Sequence, residues 1–368
     1  RPGEASPPPP APVAAPTPPV PAGANAPTRI VETPVDPALE EALRLEDLTG
    51  FHLPRPTGAR AAGLLDQGFR RVREEPLGPE GYRTLAEGFS TGGDGARSLL
   101  MVEIARALEG EVLGPAEAPP LELSAVDREG LRHPALHGEA GELLAAVGHS
   151  FCRLYPSEEG DYRGDPFRLD SGRGASAATE ALLASVRVLG IRAADVSVSE
   201  EPGPPFGVVR PDAPMIMVGR MAVQRVLPAA ELRFFAGRAL MSQEPDLLVL
   251  RGLRREQVVQ ALSVLGWALT GTSTGEEVAR VRDALSLETR QRLEVIYPRV
   301  SEDLRFPVLA DGARDSANRA GLVTCGAVGP ALAALRSKKA LEREMVELLR
   351  FAASERYFQL RQRAMGRK

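Results

Sequence analysis

One short region of this chain has the alternating pattern of β-strands, and the sequence around it is helical in period. Three short apolar runs separated by Pro and Gly predict three strands, Asp195–Ser199, Pro205–Arg210 and Met215–Val218. After Ala222 about six stretches carry apolar residues at helical spacing, and one of them places Trp267 in its apolar face. We therefore predict an α+β fold that is mainly α, with one small antiparallel sheet.

Length and charge exclude some function classes. The 368 residues suffice for about two domains of typical size. A formal net charge of -4 gives no attraction to phosphate backbones, so we expect no nucleic-acid partner. Only three of the 45 basic residues are lysines, and Ala, Gly and Pro are abundant, which suggests a GC-rich bacterial genome.

Cysteine content and hydropathy predict a cytoplasmic protein. Cys152 and Cys325 are too few for a disulfide framework and lie far apart, as expected in a reducing compartment. The densest apolar stretch, 214–226, is interrupted by Gly and Arg, so no membrane span is predicted. Because the sequence starts at Arg1 with a Pro/Ala run, we expect it to be part of a longer chain.

Residues 1–35 are predicted to be a Pro/Ala-rich disordered linker. Eleven prolines within residues 1–27 remove backbone donors and favour extended polyproline II. With almost no apolar surface to offset the entropy of ordering, this end should be the first cut by limited proteolysis. A ligand for an aromatic-lined groove is the alternative, although basic flanking residues at PxxP spacing are absent.

Residues 36–115 are predicted to be helical. One helix should begin near Asp36 and a second should span Thr57 to about Arg73, before a hairpin that turns at Gly92-Gly-Asp. Bulky and small residues alternate on the facing sides of that hairpin: Tyr82, Leu85, Ala86 and Phe89, then Ser98, Val102 and Ala105. The pattern resembles a tetratricopeptide repeat over Gly78–Glu111, which implies further copies to cover its open faces. An ordinary helical hairpin fits the same residues.

A histidine cluster is the obvious metal candidate. Three of the four histidines lie close to a cysteine: His133, His137, His149 and Cys152. His133 and His137 are four residues apart, as in the HExxH helix of metallopeptidases, but Pro134 stands where the general-base Glu is needed. A metal site or a hydrolase built on His133 and His137 remains an alternative to ordinary surface and interface histidines.

The most informative motifs lie in two helices after the strands. They are Leu227–Ser242, LPAAELRFFAGRALMS, and Asp311–Gly326, DGARDSANRAGLVTCG. Both resemble the metal-binding helices of zincin metallopeptidases of the CAAX-prenyl-protease and heat-shock-protease kind. The resemblance places the first zinc-binding histidine at Arg238, the catalytic glutamate at Ala239 and the second histidine at Ser242.

In the later helix the resemblance places the third metal ligand at Arg314 and a supporting aspartate at Asn318, with Arg319, Gly321 and Leu322 matching the family. A catalytic zinc needs neutral or anionic ligands and a base for its water, and none of those positions keeps one. We therefore interpret residues 120–368 as a zincin-like pseudopeptidase domain with no catalytic residue and no cofactor. Ordinary amphipathic helices are the alternative.

These patterns predict a non-catalytic protein-interaction or scaffold module with a protein partner. The linker, repeat-like helices and degenerate domain together resemble the C-terminal regions of long tetratricopeptide-repeat proteins of GC-rich bacteria. A second alternative is a regulator that holds a peptide strand in the retained peptidase groove. The candidate binding residues are Arg238, Ser242, Arg314 and Asn318.

If the two motif helices cross, Arg238 and Arg314 should face one cleft. Two guanidinium groups there need counter-charge, either from a carboxylate or phosphate of a partner or from the chain itself. The internal candidates are Glu244, Asp311 and Asp315.

Overall fold

Helices dominate the structure, with one small sheet near the middle of the chain. The computed structural model describes the following residues: 58–155, 165–166, 176–193, 195–199, 203–209, 212–224 and 227–366. They form sixteen α-helices and four short strands, which confirms the α+β, mainly α prediction. The predicted linker 1–35 and the predicted helix after Asp36 lie outside the described residues.

Three helices form before residue 115 and thirteen after it, in the described parts of the chain. The helices are α1 (Ala59–Glu74), α2 (Pro79–Thr91), α3 (Gly95–Leu108), α4 (Ala125–Glu129), α5 (Gly138–Leu154), α6 (Ala177–Leu189), α7 (Arg220–Val223), α8 (Ala229–Met241), α9 (Pro245–Gly252), α10 (Arg255–Thr270), α11 (Glu276–Ala284), α12 (Leu287–Val300), α13 (Phe306–Cys325), α14 (Val328–Ser337), α15 (Glu342–Ala352) and α16 (Glu355–Ala364). A short 3₁₀ turn, Pro134–Leu136, precedes α5.

The first three helices pack as successive neighbours, and the predicted hairpin is α2 and α3. Tyr82 and Leu85 are fully buried, and Asp94 caps α3 by accepting a hydrogen bond from the amide of Arg97. Gly68 of α1 lies so close to α2 that a Cβ there would fall 2.7 Å from the Leu85 side chain. The tetratricopeptide assignment of this hairpin stays a prediction.

The hairpin is tied to the last helices of the chain. Arg97 of α3 donates three hydrogen bonds, of 3.0, 2.7 and 2.6 Å, to the carboxylate of Glu355 in α16. Glu103 accepts from the amide of Val328, the first residue of α14, at 2.8 Å. Such amides have no partner within their own helix, so Glu103 fixes the start of α14 against α3.

The sheet contains β1 (Asp165–Pro166), β2 (Asp195–Ser199), β3 (Phe206–Val209) and β4 (Met215–Gly219), in the order β1-β2-β4-β3. The prediction of an antiparallel sheet is wrong in part: β4 pairs antiparallel with β3 but parallel with β2. Strand β3 forms the edge, and the chain then returns as β4 between β3 and β2. The most apolar strand thereby takes a central place, where both faces are covered.

Helix α13 is the centre of the helical part. It contacts α6, α8, α9, α10, α14, α15, α16 and the 3₁₀ turn. Fourteen of its twenty residues are buried, all around the helix and not along one stripe. Helix α8 is similar, with eleven of thirteen residues buried. The two helices that carry the zincin-like motifs are therefore the two innermost helices.

Helices α8 and α13 cross in direct contact. A Cβ on Gly237 would lie 2.2 Å from Oγ1 of Thr324, and one on Gly321 would lie 2.7 Å from the carbonyl oxygen of Phe234. The Thr324 hydroxyl donates to the carbonyl oxygen of Arg233 at 2.9 Å. Only glycine permits two helix backbones to approach this closely at the crossing.

Trp267 is more exposed than its place in the apolar pattern predicts. The side chain is 46% exposed on α10, because the core side of that helix is filled by Leu265 and its neighbours.

Membrane spans were not expected from the sequence. No helix in the described ranges has the length and apolarity that crossing a membrane requires.

We expect Gly237→Ala to lower the free energy of unfolding by about 1–3 kcal/mol, because the added methyl group overpacks the crossing. Urea denaturation of the full chain measures this. The control is Gly63→Ala on α1, where nothing lies within 4 Å of the new methyl group. That change should be neutral or stabilising by about 0.5–1 kcal/mol. Equal stability of the two variants would contradict the close crossing.

Candidate functional site

A small cleft of about 60 Å³ lies between the edge strand β3 and the end of α8. Its lining comprises Phe206, Gly207 and Val208 from β3, Arg238, Ala239 and Ser242 from α8 and its C-cap, and Leu248, Arg251 and Gly252 from α9. Among the described residues that line it there is no Asp, Glu, His or Cys. The polar side chains of the cleft are thus two guanidinium groups and one hydroxyl.

Arg238 reaches the cleft from the last turn of α8. Its side chain lies against Gly321, where an added Cβ would fall 2.9 Å from Cγ of Arg238. The guanidinium carbon is 6.0 Å from the ring centroid of Phe234. Its Nε is buried without a hydrogen-bond partner, and no carboxylate of the described residues forms an ion pair with the side chain.

Arg251 is the second cation of the cleft. It lies in the last turn of α9, reaches solvent, and likewise has no ion pair or hydrogen bond with the described residues. Desolvation, followed by repulsion from Arg251, lowers the pKa of Arg238 to about 9. That pKa stays above 7, and an exposed guanidinium such as that of Arg251 is always protonated, so both groups are charged at neutral pH.

The nearest carboxylate behind Arg238 is already engaged. Glu344 of α15 is buried and accepts hydrogen bonds from Nζ of Lys338 at 2.6 Å and from Nδ2 of Asn318 at 3.3 Å. Burial alone would raise the pKa of Glu344, but these two donors hold it below its ordinary value. The Lys338–Glu344 pair is locally neutral, so it offsets little of the charge of Arg238.

Two further acidic groups lie on α13. Asp311 accepts from Nη1 of Arg314 at 3.1 Å and also pairs with Arg343. Asp315 is 4% exposed, and its Oδ1 is buried without a hydrogen-bond partner in the described part of the chain. Burial raises the pKa of Asp315 to about 7. This carboxyl is half protonated at neutral pH and is a weak counter-charge.

The structure brings together part of the predicted site. Arg238 and Ser242 line the cleft, whereas Asn318 lies behind it and Arg314 pairs with Asp311 without lining it. The Ser242 hydroxyl donates to the carbonyl oxygen of Arg238 at 2.7 Å, so its proton is committed to its own helix end.

The second cation of the cleft was not predicted from the sequence. Arg251 lies in the last turn of α9, where a basic residue interacts favourably with the helix dipole. Cations are common at that helix position, so the local pattern does not single this one out.

The histidine and cysteine candidates do not converge. His137 precedes α5 and His149 lies twelve residues later, about 18 Å along the helix at 1.5 Å per residue. His149 is exposed, whereas Cys152 is fully buried and burial raises its pKa to about 12. No group of three or more His, Cys, Asp or Glu side chains in the described ranges could hold a metal ion.

His133 and His137 have local structural roles. His133 starts the 3₁₀ turn: its Nδ1 accepts from the amide of Ala135 at 3.2 Å, and its own amide donates to Ser316 of α13 at 2.8 Å. His137 is partly buried, with Nε2 lacking a hydrogen-bond partner among the described residues. Burial and then the charge of Arg356 lower the pKa of His137, so it is neutral at pH 7.

Comparisons of the chain with models of protein families, with curated proteins and with solved structures found no match. The resemblance to zincins therefore depends on the two motifs and stays a prediction. What the geometry provides is a cleft with two cations, a neighbouring edge strand and no acid or base in its described lining.

We expect Asp315→Asn to change the pH dependence of stability. The raised pKa means that the folded state holds a proton which the unfolded chain releases between about pH 4 and pH 7. The contribution of Asp315 to stability should fall over that range as pH rises, and the variant should not share this loss. At pH 8 the variant should be the more stable, by up to about 4 kcal/mol for a shift of about three units.

Denaturation curves of both proteins between about pH 4 and pH 8 measure this difference. The charged groups that act on Asp315 are Glu347, Arg319, Arg343 and Asp311, and all four are unchanged in the variant. A difference in stability that does not vary with pH would contradict the assignment.

Proposed function

We propose that residues 120–368 are a non-catalytic, zincin-like protein-interaction domain that holds an extended peptide segment of a partner protein along β3. The observation that carries this proposal is the cleft between β3 and α8. It combines a strand edge that pairs with no further described element with side chains that can bind oxygen atoms but cannot activate water. Arg238, Ala239 and Ser242, the positions that zincins use for zinc and base, all line it.

The strand edge supplies the backbone groups for such a partner. Within the described residues β3 pairs with β4 alone, and none of its backbone groups bonds to another element on the opposite side. In an antiparallel pair half of the N–H and C=O groups point away from the partner strand. An added peptide strand would satisfy them, and side chains on one of its faces would lie over α8 and α9.

The proposal also covers residues 36–115, the location of the protein and the class of its partner. Residues 36–115 are proposed to be a tetratricopeptide-like segment that, through α3 and its bonds to α14 and α16, acts as scaffold for the domain. The two free cysteines and the absence of a strong basic charge favour a cytoplasmic protein whose partner is a protein and not a nucleic acid.

We expect the purified full chain to contain no stoichiometric zinc and to have no peptidase activity, because the proposed ligand positions are Arg238, Ser242 and Arg314. Two of these are cations that repel a metal dication. Elemental analysis after dialysis without chelator tests this. About one equivalent of bound metal would overturn the pseudopeptidase proposal and return attention to His133 and His137.

We expect peptides selected by the full chain from a random displayed library to bind as a strand on β3. Bound peptide should slow amide hydrogen exchange in 206–209. N-methylation of every second peptide residue should abolish binding when the methylated amides face β3, and not when they face away from it. Binding without protection of β3, or equal loss for the two sets of methylated residues, would contradict strand addition.

A matched pair of variants locates the same binding on the protein. Ala239→Leu puts a larger side chain into the cleft and should weaken binding of the selected peptides, whereas Ala145→Leu adds the same atoms on an exposed part of α5 and should not. Thermal melting of both variants establishes that each is folded. Equal affinity in the two variants would place the peptide elsewhere on the molecule.

A further inference from the structure

The cleft beside β3 carries an excess of positive charge that the described residues do not neutralise. Arg238 and Arg251 both line it, and neither forms an ion pair or hydrogen bond with the described part of the chain. Ion pairing is common elsewhere in the protein, including for Arg97, Arg132 and Arg314. Arg314, the arginine that acts electrostatically on both of them, is paired with Asp311, whereas the two guanidinium groups of the cleft are not paired.

The carboxylates that could neutralise them are bound to other cations. Glu344 pairs with Lys338, Asp311 with Arg314, and Glu244, predicted as a counter-ion, with Arg132 at 3.1 Å. Asp315 lies close enough to act on Arg238 electrostatically, but it is only partly ionised at neutral pH and makes no ion pair within the described ranges. Neutralising the cleft with Glu344, Asp311 or Glu244 would break a pair that each of them already makes.

Like charges in a partly desolvated cleft oppose each other and favour an anion between them. The Nε of Arg238 is buried without a hydrogen-bond partner among the described residues, so the protein does not offset the charge of this group on its inner side either. A planar guanidinium binds the two oxygens of a carboxylate side by side, and such charge-assisted bonds are about twice as strong as neutral ones. The cleft, with a volume of about 60 Å³, has room for one small oxyanion.

We propose that Arg238 and Arg251 form a carboxylate-binding subsite, which selects an acidic residue in the peptide held along β3. This proposal rests on the proposed function, because it is the adjacent strand edge that favours a peptide carboxylate over a free ion. The acidic side chain would point from the added strand into the cleft, while its backbone pairs with β3. Ser242 would not donate to it, since its proton is used within α8.

A positional library of short extended peptides, with one position fixed as Asp, Glu, Asn or Gln, tests the subsite on the full chain. At one position the acidic peptides should bind about 10- to 100-fold more tightly than their amide counterparts. Arg251→Gln should remove that preference, and because Arg251 is exposed the variant should fold normally. Arg238→Met, which keeps the buried stem, should remove it as well.

The control variant is Arg220→Gln, which deletes an exposed cation of α7 outside the cleft and should leave the preference intact. An acid preference that survives Arg251→Gln, or that Arg220→Gln removes equally, overturns the subsite. A phosphoserine at the same position that outcompetes Asp and Glu overturns the assignment to carboxylate.

The subsite and the proposed function can fail separately. If peptides bind on β3 with no acid preference, the subsite is wrong and the peptide-binding function stands. If no peptide binds, the function fails, and acetate and inorganic phosphate at matched ionic strength then test the cations alone by thermal melting. The subsite survives that test only if acetate raises the melting temperature of the unmodified chain more than that of the Arg251→Gln variant. It is overturned if acetate stabilises both proteins equally, or if phosphate stabilises the unmodified chain and acetate does not.

Discussion

The crossing of α8 and α13 is the constraint on which the rest of the structure depends. At Gly237 and Gly321 the two backbones approach within side-chain contact distance, and the later helices and the 3₁₀ turn pack around α13. Because both helices are buried on nearly all sides, their polar residues must find partners inside the protein. Thr324 does so at the crossing itself, by donating to the carbonyl oxygen of Arg233. The position of the cleft follows, since Arg238 directly follows Gly237 and leaves α8 beside the crossing, toward β3.

Charged side chains around α13 differ in whether the protein supplies them with partners, and this difference determines the net charge of the cleft. Arg319 is almost fully buried, yet its Nη1 donates to the carbonyl oxygen of Arg132 and its guanidinium carbon lies 4.7 Å from the ring centroid of Phe351. Partners of this kind make a buried charge tolerable. Arg238 and Arg251 have no ion pair or hydrogen bond among the described residues, so binding an anion in the cleft would relieve the repulsion between them.

Periodicity predicted the elements well and their arrangement less well. Alternating spacing located β2, and short apolar runs bounded by Pro and Gly located β3 and β4, because strands and amphipathic helices need different apolar patterns. The parallel pairing of β2 with β4 has no local signal, since it depends on which strand takes the centre of the sheet. The resemblance to zincin motifs drew attention to Arg238, but the cleft needs Arg251 from another helix. Only the packing of α8 against α9 and β3 brings the two cations together.

Packing and chemistry make separate demands on the same two helices. Gly237 and Gly321 serve the crossing and need no metal. If the proposed zincin relationship holds, Arg238 and Ser242 occupy the positions of metal ligands. Under the proposed relationship, side-chain cations stand where a metal dication would be. Like a zinc ion, the guanidinium groups would present positive charge to a bound peptide, so they would still attract its oxygen atoms. A guanidinium cannot lower the pKa of a water molecule as zinc does, and no base lies in the described lining. Such a cleft would bind a peptide without cleaving it.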